Sequence, residues 1–186
     1  IDIDFSDPDN KPVVRWLDRA ERSQRAYTPR FHERNAQKKW DRVLEYRDKA
    51  PKIISNLRSK LSDAKPGGAD HQALLVASVV AMTGLRPGGS SGGVTGHFGI
   101  ATLRPEHITI KGNSVSMTFV GKSGKTNTTQ FRNKVVAQAL SHYTESTAAG
   151  KSLFANGIET SARKVLPKGM KLKDFRTIKA TNIAMD

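Results

Sequence analysis

The sequence contains no cysteine. That excludes a disulfide framework, a thiolate zinc site and a cysteine nucleophile, and it fits a reducing compartment. It also lacks any uninterrupted apolar run approaching the roughly 20 residues that a membrane-spanning helix needs. The opening Ile1-Asp2-Ile3-Asp4 is acidic where a secretory signal peptide is basic. A soluble chain with no membrane partner is expected, and a start at Ile1 reads as a piece of something longer. Carboxylates are scarce in one stretch: after residue 71 only Glu106, Glu145, Glu159, Asp174 and Asp186 occur. A reactive centre in that part would have to be cationic, which suits stabilising negative charge on a phosphodiester. His32, His71, His97, His107 and His142 form no HExxH pair and show no ligand spacing near carboxylates, so no metal site is expected.

What the chain has in excess is positive charge. Its 186 residues include 31 Lys+Arg against 17 Asp+Glu, a formal net charge of +14. Residues 1–70 hold 16 basic and 12 acidic side chains, whereas residues 71–186 hold 15 basic and 5 acidic. The second part is the strongly cationic one, and a surface of that sign attracts polyanions because binding phosphates releases condensed counterions. Lysines that only keep a protein soluble are the plain alternative. Apolar residues make up 37% of the chain and charged ones 26%, enough for a real core in one ordinary domain with an appendage.

Along the chain, residues 1–14 carry Pro8 and Pro12 and read as an extended lead-in. Residues 15–32 interleave arginines with Trp16, Tyr27 and Phe31, a pattern suited to phosphate and sugar contacts, though a solvated helix surface with a few packing aromatics is the plainer reading. Apolar positions at helical spacing predict a helix over 33–49 ended by Pro51, and a short one carrying Ile53, Ile54, Leu57 and Leu61. Asp70 is expected to cap HQALLVASVVAMTG, an all-round apolar and therefore buried helix stopped by Gly84. Arg86 follows that stop at once, leading into a loop, Pro87 to Gly93, that has hardly any side chains. From residue 98 to 131 the period changes to two. Ile108–Ile110, a Lys111-Gly112-Asn113 turn, Val115–Val120, a Gly121–Lys125 turn and Thr126–Phe131 predict a three-stranded antiparallel sheet. Asn133 is placed to cap a helix through about Thr147, and further helices are expected near 160–165 and from Leu172 onward. There is no internal repeat. The fold class is α+β, mainly α-helical.

Gly121-Lys122-Ser123-Gly124-Lys125-Thr126 has the look of a phosphate loop but fails its spacing, since GxxxxGK[ST] needs glycine where Phe119 stands, and its context is strand to strand. Two lysines on a hairpin tip could instead touch a phosphate or protonate a leaving alkoxide; a polar turn lying in water is the plainer reading.

Four blocks occur in order: Gly84-Leu85-Arg86, His97 through Arg104 (HFGIATLR), Phe119 through Lys125 (FVGKSGK) and Lys173-Asp174-Phe175-Arg176-Thr177. Together they resemble the signature blocks of type IB DNA topoisomerases of the compact bacterial and poxviral sort, and residues 18–31 are similar to the same family where it leads into its catalytic domain. The resemblance spans roughly residues 15–184. It implies residues 1–31 as a lead-in with DNA contacts and 32–186 as a catalytic domain of the topoisomerase IB and tyrosine recombinase type. It also implies relaxation of supercoiled duplex DNA by transient cleavage through a 3′-phosphotyrosyl intermediate, with no cofactor, metal or ATP. A monomer acting on duplex DNA in a bacterial nucleoid or an infected host cell is implied as well. Carried over by position, Arg86 and Arg176 would hold the non-bridging phosphate oxygens and Lys122 would protonate the 5′-hydroxyl leaving group. Arg25, Tyr27, Arg30 and Lys125 would lie on the DNA path.

This chain departs from the family in two places. The glycine-rich stretch from Pro87 to Gly96 replaces a more polar, helix-like one. The family's nucleophilic tyrosine follows the Arg176 block by several tens of residues, and Tyr27, Tyr46 and Tyr143 do not match it, so the nucleophile is expected beyond residue 186 and the fragment alone to be inactive. Two alternatives stand beside this reading. A tyrosine recombinase shares the first arginine block but has His where Lys173 stands, and a non-enzymatic or degenerate module would bind duplex DNA without cutting it.

Overall fold

Where an extended lead-in is expected, the chain turns back on itself. The computed structural model describes residues 1–88 and 96–185. It shows β1 (Asp2–Ile3), β2 (Val14–Leu17) and β3 (Ser23–Ala26) as an antiparallel sheet in that order, with Arg15 opposite both Asp2 and Arg25. The β2–β3 turn is built on Asp18. Its carboxylate accepts hydrogen bonds from the backbone N–H of Ala20 and Arg22 and from the side chains of Arg22 and Gln24, at 2.8–3.0 Å. The Arg22 contacts, then the other donors, hold this carboxyl well below the usual carboxylate range. Strands this short have too few alternating positions to announce themselves in sequence.

Helix α1 (Pro29–Arg47) begins four residues before the expected start, because Thr28 Oγ1 accepts from the Phe31 N–H at 3.1 Å and Pro29 suits a first helical turn. Pro51 does not end this helix. It lies in the first turn of α2 (Ala50–Asp63), where its missing N–H costs nothing. The chain divides into two compact units, Ile1–Glu45 and Tyr46–Asp186.

The second unit is organised by α3 (Ala69–Thr83), in which 11 residues are buried. Leu75, Val76, Ala77, Val79 and Val80 are wholly so, as the all-round apolar pattern requires. Asp70 does not cap it. Gly68 occupies the cap position and Asp70 sits in the first turn, where its charge still complements the helix dipole. Gly84 ends α3 in the left-handed conformation at φ 69°, its N–H returning to the Val80 carbonyl at 2.9 Å.

Residues 98–107 are not strand; they form two single 3₁₀ turns, Ile100–Thr102 and Pro105–His107. The expected sheet follows as β4 (Ile108–Lys111), β5 (Ser114–Val120) and β6 (Thr126–Arg132), antiparallel and in that order. Val115, Met117 and Phe119 of β5 alternate inward, exposed by 4% at most. Helix α4 (Lys134–Ser146) is capped by Asn133, whose carbonyl oxygen accepts from the Val136 N–H at 3.0 Å. Helices α5 (Ile158–Lys164) and α6 (Leu172–Met185) complete the unit, both packing on α3. The protein is thus α+β and mainly helical. Most of the glycine-rich stretch after Arg86, residues 89–95, lies outside the described residues. No helix among the described residues is long and apolar enough to cross a membrane.

Candidate active site

Arg86 stands three residues past the end of α3, and backbone bonds hold its loop. The Ile100 N–H donates to the Arg86 carbonyl at 3.0 Å, and the Ala101 N–H to the Pro87 carbonyl at 2.7 Å. Gly88 and Gly99 cross here so closely that a Cβ on Gly99 would stand 2.5 Å from the backbone of Gly88. Next to that crossing, the Phe98 N–H donates to the Val120 carbonyl at 2.7 Å, tying this segment to the end of β5. The β5–β6 connection closes through the Gly121 N–H and the Lys125 carbonyl at 2.8 Å, and Ser123 at its tip is left-handed at φ 65°. A continuous run of backbone hydrogen bonds therefore links the Arg86 loop to the Lys122 turn. Helix α6 approaches from the other side, its Arg176 Cα 3.6 Å from where a Cβ on Gly84 would lie.

These elements enclose a hollow of about 240 Å³ whose lining includes Arg86, Lys122, Lys125 and Arg176, with Phe98 and Phe119 as an apolar wall. Three cations remote in sequence and a fourth beside one of them face one space, and none of the lining residues is acidic. Among the described residues none of the four has a carboxylate within ion-pairing distance. Unpaired like charges around a partly apolar hollow favour an anion strongly, because its low-dielectric wall screens less than water does.

The wall is itself supported. The His107 ring lies 4.3 Å from that of Phe98, and the Arg104 guanidinium stands 4.9 Å over the same Phe98 ring. Burial pushes the His107 imidazole below its ordinary pKa, and its Nδ1 accepts from the Arg104 N–H at 3.1 Å, so it works here as a neutral structural group.

Of the remaining expected contacts, all three fall in the first unit. Arg25 is exposed on β3, Tyr27 stacks on Phe31 at 4.1 Å, and Arg30 pairs with Asp9 at 3.6 Å. The two other tyrosines are committed to the fold. The Tyr46 hydroxyl donates to the Lys168 carbonyl at 2.8 Å, and that of Tyr143 lies 2.8 Å from His71 Nδ1, with burial raising the phenol's pKa. No tyrosine lines the hollow among the described residues. Sequence reasoning missed Phe98 and Asn127 as lining residues. Phe98 stands inside a quoted block, but a lone aromatic carries no signal of which way it faces, and Asn127 is one polar residue of an alternating strand.

Residues 28–186 match the family model described as eukaryotic DNA topoisomerase I, catalytic core. The chain belongs to this topoisomerase I family. A search of curated proteins found no match. Membership makes DNA the partner and topoisomerase I chemistry, an isomerase activity, the general function. An acid-free hollow lined by cations suits an anionic group, whose charge arginine can meet with two parallel N–H bonds.

Proposed function

We propose that this topoisomerase I domain relaxes supercoiled duplex DNA by reversible single-strand transesterification in the hollow bounded by Arg86, Lys122 and Arg176. The observation that carries the reading is the convergence of these three cations on one acid-free space. A tyrosine hydroxyl gives its proton to solvent as its oxygen attacks the phosphorus, a 3′-phosphotyrosyl bond forms, and the bond to the 5′-oxygen breaks. Arg86 and Arg176 bind the non-bridging oxygens and stabilise the charge that grows on them in the transition state. Lys122, the compact and movable ammonium, gives its proton to the departing 5′-oxygen, and religation reverses each step. Lys125 holds the adjoining backbone, and Arg25, Tyr27 and Arg30 in residues 1–31 extend the DNA contact beyond the catalytic domain of residues 32–186. By the family resemblance the nucleophile is assigned to a segment C-terminal to Asp186, which agrees with Tyr46 and Tyr143 being spent on structure. The 186 residues alone then bind duplex DNA without cutting it. The Gly-Lys-Ser-Gly-Lys turn and the Lys173–Arg176 block support the compact bacterial or poxviral type over a recombinase. On this reading the protein acts as a monomer on nucleoid or viral DNA and needs no cofactor.

The test is relaxation of a supercoiled plasmid in EDTA without ATP by the protein carrying its natural C-terminal continuation. The expected result is full relaxation, lost by a factor of roughly 10²–10³ in Arg176→Ala with duplex binding retained. Undiminished relaxation by Arg176→Ala would remove the assigned role. Binding without relaxation by the parent would leave a DNA-binding module.

A further inference from the structure

Lys179 belongs to none of the sequence blocks and does not line the hollow, yet it joins the two helices that deliver the arginines. Its ammonium donates to the Thr83 carbonyl at 3.1 Å and to the Met82 carbonyl at 3.5 Å. Those are carbonyls of the last turn of α3, which have no partner within the helix and carry the negative end of its dipole. The stem runs over Gly84, its Cδ 3.1 Å from where a Cβ would stand, so glycine here lets it pass without the shift of a few tenths of an ångström that a side chain would impose. Arg86 follows Gly84 by two residues. Arg176 precedes Lys179 by three, on the same side of α6, and its Cα is 3.6 Å from that same Cβ point.

We propose that Lys179 is a positioning residue, an electrostatic clamp that sets the spacing of Arg86 and Arg176 by fastening the C-terminal end of α3 to α6. The geometry lets it do so without touching the anion, since Arg86 is reached through the end of α3 and Arg176 through the turn of α6 before Lys179. The inference rests on the proposed function in assuming that the two arginines serve one phosphate. Exposed as Lys179 is, its replacement does not open the core.

The experiment follows the Nε–Hε NMR signals of Arg86 and Arg176 in the 186-residue protein as inorganic phosphate is added at constant ionic strength, with thermal melting recorded in parallel. In the parent both signals are expected to follow a single saturation curve. In Lys179→Met, and equally in Lys179→Gln should the first fold poorly, the curves separate or the shared Kd rises at least fivefold. Lys179→Arg, which keeps the charge, restores the parent behaviour within twofold. Unchanged curves in Lys179→Met overturn the clamp, and so does a loss that Lys179→Arg fails to recover, since a merely structural stem would behave that way. If the parent's arginines respond separately or not at all, there is no shared anion, and the proposed function falls together with the clamp.

Discussion

On the proposed mechanism Lys122 releases a proton during strand cleavage, whereas Arg86 and Arg176 keep theirs, and this difference makes their variants separable. Lys122→Ala is expected to slow cleavage by roughly 10²–10⁴-fold. Most of that loss should vanish on a substrate with sulfur in place of the 5′-bridging oxygen, because a thiolate departs without needing a proton. Arg176→Ala should gain nothing from the same substitution. Single-turnover cleavage rates on the two substrates check this, and equal rescue of both variants would contradict the division of labour. These positions were legible in sequence for a physical reason: each cation sits where local structure ends, after a helix-stopping glycine, on a hairpin tip and early in a last helix. Phe98 and Lys179 were not legible. What each does depends on contacts with residues far along the chain, and no local spacing encodes which neighbour a lone aromatic or lysine will meet.

At the scale of elements, α3 and α4 share a buried polar contact with a calculable pH dependence. His71 is 4% exposed, its Nδ1 is 2.8 Å from the Tyr143 hydroxyl, and burial, then the neighbouring His142, lowers its pKa below the ordinary 6.5. His107 is lowered in the same direction by burial, though Glu106 opposes this. A base whose folded pKa is depressed binds its proton more readily in the unfolded chain. These two groups therefore contribute their full stability above about pH 6.5, and it is lost as the pH falls from there through the folded pKa values. Urea midpoints should accordingly drop between pH 7.5 and 5, and less so in His71→Gln; a midpoint that rises over this range would refute the account. The regular elements of this unit were readable because their periods are long and their stop signals strong: Gly84 after α3, Asn133 before α4, the alternating Val115, Met117 and Phe119 of β5. The first sheet, the early start of α1 and the placing of Pro51 were not, since strands of two to four residues hold no period and a proline suits a helix's first turn as well as its end.

Over the whole molecule the uneven charge predicts how binding answers to salt. Each phosphate neutralised contributes about −0.9 to the slope of log affinity against log salt. Filter binding of duplex to the 186 residues should therefore give a straight line steeper than about −2, and a slope near zero would mean that the excess of cations is not used on DNA. That the basic excess lies after residue 71 was plain from counting, but the meeting of Arg86, Lys122, Lys125 and Arg176 around one hollow required folding to bring remote segments together. The crossing of Gly88 and Gly99 sets one more property of the chain. Because their backbones touch, a methyl group added at Gly99 has to force the Arg86 loop away from the Phe98 segment. Gly99→Ala should accordingly weaken phosphate binding in the same NMR titration, and an unchanged Kd would show that the loop yields without moving its arginine. The junction is thus an intolerant spot, at which descent of the chain admits not even one added carbon.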